Sequence, residues 1–371
     1  MPSRNLRSMQ SSPTVVGMGL LALDIVFAQD RDRPSYFAGG TCGNVLTILN
    51  YLGWRSRPIA RLGPGAAADY VVEDLETFGV LTDLIKRDSE GSTPVIVQRI
   101  RRRNDGELYH TFSWRCPTCG AHLPGYKAVL SSAADQLRKQ LGGAKAFFFD
   151  RVSRAVLIIA AELRRRGAVI IFEPSSVGDH RLFREAYTVA HIVKYSHERL
   201  RDIADVPFGR GERDRVLLEI ETLGRSGLRY RSRLAQAPTR NWTSVAAFSR
   251  EDVKDAAGSG DWCTAGLIHS LARGGVLKFR GITTPELVEA MRLGQALAAW
   301  NCRFEGARGG MYQMTKEQFG SQIQTILRGA VLEDQGLDGQ SDESPLALHS
   351  LCPSCDRVRR PKSLAASGRG A

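Results

Sequence analysis

The stretch Asp255-Ala-Ala-Gly-Ser-Gly-Asp-Trp-Cys-Thr-Ala-Gly266 sets a small flexible turn, Gly258-Ser259-Gly260, directly before a segment, Asp261–Ala272, that reads as a helix. Such a turn leaves backbone N–H groups free. A helix N-terminus adds a positive partial charge, so the two together form an anion site suited to a phosphate. Asp261 falls in the first helical turn beside that site, where a carboxylate can accept the proton of an attacking hydroxyl. Phosphoryl transfer needs both features side by side, because the phosphoryl carries spread negative charge while the nucleophile loses a proton. The plain structural alternative is an Asp N-cap on an ordinary helix, with the glycines making the turn.

Outward from this stretch, short apolar runs alternate with helical ones. Val15–Gly19 reads as a strand. Asn44–Leu52 reads as a helix, with Val45, Ile48, Leu49 and Leu52 on one face and Gly53 as its stop. Strand-like runs recur at Ala144–Asp150, Ala168–Phe172, Val189–Lys194 and Arg215–Ile220, and Ser153–Arg166 is a helix ending at Gly167. Repeated βα units predict an α/β fold with a doubly wound, mostly parallel sheet flanked by helices. Thr93–Trp114 breaks the rhythm. It alternates like a β-ribbon around Asn104-Asp105-Gly106, a hairpin that either covers a site as a small β lid or extends the sheet edge. Residues 1–12 are polar and read as a flexible N-terminus, 13–329 as the main domain, and 330–371 as a C-terminal appendage. There is no internal repeat.

The chain has 371 residues, 43% of them apolar, enough for a sizeable core. Its net charge of +12 attracts phosphates, nucleotides or nucleic acid. The basic runs at Arg101–Arg103, Arg164–Arg166 and Arg357–Lys362 are short and read as solvated surface. No run reaches the roughly 18 apolar residues of a membrane span. Val15–Ala28 contains Asp24 and no small-residue cleavage site, so it reads as a strand and not as a signal peptide. Seven cysteines, four of them in two C-x-x-C pairs, suit a reducing compartment, and a cytoplasmic location is the expectation.

The glycine turn and its surroundings resemble the ribokinase-like (PfkB) carbohydrate kinases. Gly258-Ser-Gly-Asp261 with Ala265-Gly266 is similar to the family's second signature, with Ala256 where Thr or Ser is usual. Ala38-Gly-Gly-Thr-Cys-Gly-Asn44 resembles its glycine-rich first signature. Gly17-Met-Gly-Leu-Leu-Ala-Leu-Asp24 resembles its opening strand and substrate-binding Asp. Thr222-Leu-Gly-Arg-Ser-Gly227 resembles its nucleotide segment, and Gly306-Ala307 a turn near the nucleotide and cation sites. These pieces keep the family order from residue 14 to about 310.

The resemblance implies that Asp261 is the catalytic base and that Gly258, Ser259 and Gly260 are the anion hole for the γ-phosphate. It implies that Asp24, Gly39, Gly40 and Asn44 grip substrate hydroxyls, that Thr222, Gly224 and Gly227 line the ATP site, and that Asp255 helps hold a monovalent cation. The lid strands fall at about 24–38 and 93–115, and a homodimer through the lid is expected. The family's N-x-x-E element reads Ser196-His-Glu-Arg199 here, leaving Glu198, one position early, to serve Mg2+ through water. The family's Asp-Pro-Asn reads Glu173-Pro-Ser175.

Cys116-Pro-Thr-Cys119 and Cys352-Pro-Ser-Cys355 are two C-P-x-C knuckles, which the family pattern does not contain. Each places two thiolates on one side of a tight loop. If they meet they form a four-thiolate site for a structural Zn2+; separate redox pairs, disulfides or a zinc shared between chains are the alternatives. Cys42, Cys263 and Cys302 are isolated and read as small buried residues.

The leading function is therefore ATP-dependent phosphorylation of a hydroxyl on a sugar or sugar-containing molecule. The alternatives are a catalytically silent sugar or nucleotide sensor of the same fold, and a zinc-containing nucleic-acid-binding protein. The last lacks the interleaved aromatic and basic pattern of an RNA-binding face.

Overall fold

The computed structural model describes residues 12–28, 33–102, 108–248, 253–330, 332 and 346–355. The polar start, the Asn104-Asp105-Gly106 turn and most of the segment after Ala330 lie outside the described residues. In chain order the strands are β1 (Thr14–Met18), β2 (Ala22–Phe27), β3 (Ser35–Gly39), β4 (Arg55–Leu62), β5 (Ile85–Arg87), β6 (Val95–Arg102), β7 (Leu108–Ser113), β8 (Ala144–Phe149), β9 (Val169–Phe172), β10 (Ile192–Ser196), β11 (Leu218–Thr222), β12 (Leu228–Leu234), β13 (Ala237–Pro238) and β14 (Thr243–Val245).

The main sheet runs β13-β12-β11-β10-β9-β8-β1-β4-β5, with β14 against β12. From β11 to β5 every pairing is parallel. The antiparallel strands are confined to one edge, where β12 pairs β11, β13 and β14. Parallel central strands are buried on both faces, which is why they read as continuous apolar runs. In β8, Ala146 and Phe148 enter one core while Phe147 and Phe149 enter the other, and β9 divides Val169 and Ile171 from Ile170 and Phe172 in the same way.

Helices cover both faces. The first core takes apolar side chains from α1 (Thr41–Tyr51), α2 (Ala66–Thr77), α7 (Ser259–Leu271), α8 (Gly275–Arg280), α9 (Thr284–Asn301), α10 (Gly309–Gln313), α11 (Lys316–Leu327) and α12 (Leu348–Leu351). The second takes them from α3 (Ala134–Lys139), α4 (Arg154–Arg165), α5 (His180–Val189) and α6 (Leu200–Ala204). The Ser153 hydroxyl accepts from the Val156 N–H and so caps α4.

A second sheet, β3-β2-β6-β7, stands apart from the first. The 93–114 ribbon belongs to it: β6 and β7 pair antiparallel, and β6 joins β2 in parallel. The alternative, an edge extension of the main sheet, is thus not formed.

Three boundaries outside the glycine turn differ from expectation. The helix expected from Asn44 begins at Thr41, because Gly40 takes the N-cap position and puts Asn44 in the first turn. Val189 ends α5 and does not open a strand: Phe183, Ala186, Tyr187 and Ala190 are all buried at helical spacing, and β10 starts only at Ile192. The strand expected from Arg215 begins at Leu218, where the N–H groups of Leu217 and Leu218 first reach the His191 carbonyl. At the other end of the chain, residues 346–355 dock beside α2 and bury Leu351 and Cys352 in the first core.

Candidate active site

Strand order reverses between β1 and β8: the chain builds β4 and β5 on one side of β1 and β8 to β11 on the other. Ligands of open α/β sheets bind in the crevice outside the carboxyl ends of the strands at such a point. Here Gly19 follows β1, Asp150 follows β8, Glu173 follows β9, and Thr222 ends β11. The Asp150 carboxylate accepts the Leu20 N–H at 3.0 Å and so pins the segment leaving β1.

The N-terminus of α7 faces this crevice. Gly258 is its N-cap with φ 72°, and a Cβ there would lie 2.4 Å from the Ala307 carbonyl oxygen, so neither the backbone nor the space admits a side chain. The helix starts at Ser259, two residues before the expected Asp261, which keeps Asp261 in the first turn. Behind the turn, Asp255 is fully buried. Its Oδ1 accepts the Ala257 N–H at 2.7 Å, and its Oδ2 accepts the Gly306 N–H at 2.8 Å. His110 Nε2, from β7 of the small sheet, lies 3.1 Å from Asp255 Oδ1. Gln98 Nε2 is 2.8 Å from His110 Nδ1 and fixes the ring.

Asp261 is held by a chain of side chains. Asn44 Nδ2 donates to Asp261 Oδ2 at 2.7 Å, and Arg308 Nε donates to Asn44 Oδ1 at 3.1 Å. The Arg308 Nη2 group reaches the Asp74 carboxylate at 2.7 Å and also the Ala38 carbonyl, and Tyr312 donates to Asp74 from the other side. Burial, then the Glu173 carboxylate, pushes Asp261 up to about 7, against the opposing pull of the Asn44 hydrogen bond and the Lys194 ammonium. Glu173 is itself buried, taking Lys194 Nζ at 2.7 Å and the Thr264 hydroxyl at 2.6 Å. The result is a carboxylate poised near neutrality, the range that suits proton transfer.

Asp24 lies on β2 of the small sheet, opposite Phe37 of β3. Burial pushes it up to about 7, and the Arg308 charge partly offsets this. Gly39 makes room for it, since a Cβ there would lie 2.0 Å from Asp24 Oδ2. Gly40 is the N-cap of α1. Thr222, Gly224 and Gly227 form the tight turn between β11 and β12, closed by the Leu223 N–H on the Gly227 carbonyl at 2.7 Å. Glu198 is exposed in the turn after β10. Cys42 and Cys263 are buried and pushed up by burial, hence protonated and packed. The two knuckles meet: Cys116 Sγ lies 3.9 Å from Cys355 Sγ, Cys119 Sγ lies 3.6 Å from Cys352 Sγ, and all four sulfurs fall within 4.8 Å of one another.

Sequence reasoning missed Arg308, His110, Lys194 and Asp150. Arg308 adjoins Gly306-Ala307, and Asp150 ends an apolar strand at its carboxyl end, a legible position. Nothing in the spacing of His110 marks it. A surface cavity of about 510 Å³ near the far end of α7, lined by Ser270, Arg273, Lys278 and Glu286 among others, includes none of these residues.

Solved structures with a similar fold include a nucleoside kinase from Burkholderia thailandensis in complex with inosine, with TM-score 0.63 and 18% identity over 84% of this chain and 97% of that one. The chain has the ribokinase-like fold. Two more ribokinase-fold structures align as fully. Aminoimidazole riboside kinase from Salmonella enterica, with aminoimidazole riboside and an ATP analog, gives TM-score 0.60 and 21% identity over 85% and 99%. Ribokinase from Arabidopsis thaliana, with ribose and ATP, gives 0.61 and 16% over 85% and 99%. In sequence, the chain is 27% identical to mouse ketohexokinase over 117 residues, a match spanning 29% of this chain and 39% of that protein. No protein-family model matches the chain. Among the described residues no helix is long and apolar enough to cross a membrane.

Proposed function

We propose that the protein transfers the γ-phosphoryl group of ATP to a hydroxyl of a sugar or sugar-containing small molecule. The observation that carries this reading is Asp261, poised near neutrality in the first turn of α7 beside the Gly258–Gly260 N–H groups and aimed by Asn44. The acceptor hydroxyl gives its proton to Asp261 and attacks the phosphorus in line as ADP leaves, while the Gly258 and Gly260 N–H groups and the helix terminus hold the charge spread over the phosphoryl oxygens; the Ser259 N–H is given instead to the Ala256 carbonyl at 3.2 Å. Asp24, with Gly39 and Gly40 beside it, receives the acceptor's other hydroxyls. Thr222, Gly224 and Gly227 lie at the carboxyl end of β11, where the nucleotide binds in this reading.

Glu198, exposed in the turn after β10, is the oxygen donor that would serve Mg2+ through water; Asp150 is less suited, because its oxygens already accept the Leu20 N–H and pair with Arg151. When bound, Mg2+ supplies charge neutralisation of the phosphates. A monovalent cation at Asp255 fits less well. Both carboxylate oxygens already accept N–H groups, and His110 stands against one of them, so no step is assigned to such an ion.

The small sheet serves as a lid whose closure keeps water from the phosphoryl group. Phe112, two residues from His110 on the same face and stacked near it, is 65% exposed and can lie against a sugar or base ring. Trp114, also exposed, leaves the same surface open to a lid-to-lid homodimer, which light scattering with and without acceptor would test.

The deciding experiment is ADP release with Mg2+ and ATP over a panel of sugars, sugar phosphates and nucleosides. Acceptor-dependent release that falls roughly 10²-fold or more in Asp261→Asn supports the reading. Binding of ATP and a sugar without turnover of any acceptor would replace it with the silent sensor.

A further inference from the structure

The two knuckles lie 233 to 239 residues apart along the chain, yet their four sulfurs are neighbours. In a tetrahedral zinc thiolate site with Zn–S of about 2.3 Å, the sulfurs stand about 3.8 Å from one another. The separations of 3.6 and 3.9 Å sit on either side of that edge length. A disulfide needs about 2.05 Å, and none of these cysteines forms one.

The first knuckle is shaped to hold thiolates. The N–H groups of Cys119 and Thr118 donate to Cys116 Sγ. Gly120 takes φ 72° directly after the second ligand, its N–H closes the turn on the Cys116 carbonyl at 2.9 Å, and the Cys116 N–H bonds the Ala121 carbonyl at 2.8 Å. Cys116 and Cys352 are buried while Cys119 is exposed, so the set is a shallow pocket sealed on its inner side.

We propose that Cys116, Cys119, Cys352 and Cys355 bind one Zn2+ within a single chain, as a structural staple that ties the end of the small sheet to the C-terminal segment. Cys116 stands three residues after β7, which places one end of the staple at the root of the small sheet. Cys352 directly follows α12 and, with Leu351, is buried in the core that also contains the α2 residues Ala68, Val71 and Leu75. The ion therefore holds the root of the lid against the main body. Four thiolates leave no open position, so the metal takes no part in chemistry. Closing so long a loop also restricts the unfolded chain, and metal release should cost stability accordingly. This inference does not depend on the kinase reading.

The test uses the full chain, purified with reductant and without added metal. Native mass spectrometry should find one zinc on each monomer, and cobalt exchange should give the intense visible absorption of a tetrahedral thiolate complex. Stripping the ion with a strong chelator should lower Tm by about 5 °C or more, and re-addition of zinc should restore it. Cys355→Ser should lose zinc to a competing chelator at least about tenfold more readily, without the buried cavity that altering Cys352 creates. Absence of stoichiometric zinc together with absence of a cobalt spectrum would overturn the proposal. So would a native disulfide joining the two knuckles, or zinc found only in dimers.

Discussion

Asn44 Nδ2 lies 2.7 Å from Asp261 Oδ2, joining the first turn of α1 to the first turn of α7 across 217 residues. The carboxamide cannot be reversed, because its oxygen accepts from Arg308 Nε. Asn44→Asp would keep the partner of Arg308 but turn a donor into a second carboxylate facing Asp261. The base would then titrate higher. Turnover at pH 7 should fall by about tenfold or more and recover in part above pH 8; Asn44→Ala, which removes the hydrogen bond that holds Asp261 down but adds no charge, should shift the profile the same way to a smaller extent. A pH–rate profile of both variants checks this.

In the proposed reaction Asp261 must be ionised to take a proton, and it is pushed up to about 7, first by burial and then by Glu173. The value of kcat/KM should therefore fall below about pH 7, roughly tenfold for each further pH unit. Stability carries the opposite sign. The folded carboxyl binds its proton more tightly than the unfolded one, whose ordinary value is 3.8, so its contribution is fully present below that pH and is lost as pH rises through about 7. Asp261→Asn should consequently be more stable than the native protein at pH 8, by about 1–2 kcal/mol, with the gain vanishing near pH 4. Denaturation midpoints at the two pH values measure it.

His110 brings the small sheet onto Asp255, the carboxylate that accepts the N–H groups of Ala257 and Gly306 on either side of the glycine turn. In the proposed function, where the small sheet is the lid, His110→Ala should loosen it over the site and leave Asp255 buried without its imidazole neighbour. Two readouts are expected: a rise of several-fold in the acceptor KM, and a higher ratio of ATP hydrolysis to acceptor phosphorylation. An unchanged hydrolysis ratio would remove His110 from the closure.

Arg308 is buried and interacts with Asp74, Asp24 and Asn44. Arg308→Met removes a cation that offsets two buried carboxylates. It should destabilise the protein by about 3–5 kcal/mol in urea and raise the titration of Asp24 further. Its neighbour Asp74 would keep only the Tyr312 hydroxyl bond of the two side-chain partners described for it.

The sequence by itself determined the α/β alternation, the parallel sheet, the β-ribbon, and the glycine turn ahead of Asp261. These are local: a strand's two-faced apolar run, a helix's three- and four-residue spacing, and a Gly-x-Gly turn before a helix all act within a few residues of one another. The structure decided what those pieces face. Asn44, read as a grip on substrate hydroxyls, is turned toward Asp261 and Arg308. Asp255, read as a cation ligand, is met by His110 from another sheet. Val189, read as the start of a strand, is the last residue of α5 and packs partly buried against the second core. The four knuckle cysteines were legible as two pairs, but only folding could bring them within 4.8 Å of one another. A hydrogen bond, an ion pair and a coordination shell depend on distance through space, and distance through space between residues hundreds apart is set by how the sheet and its two layers of helices pack.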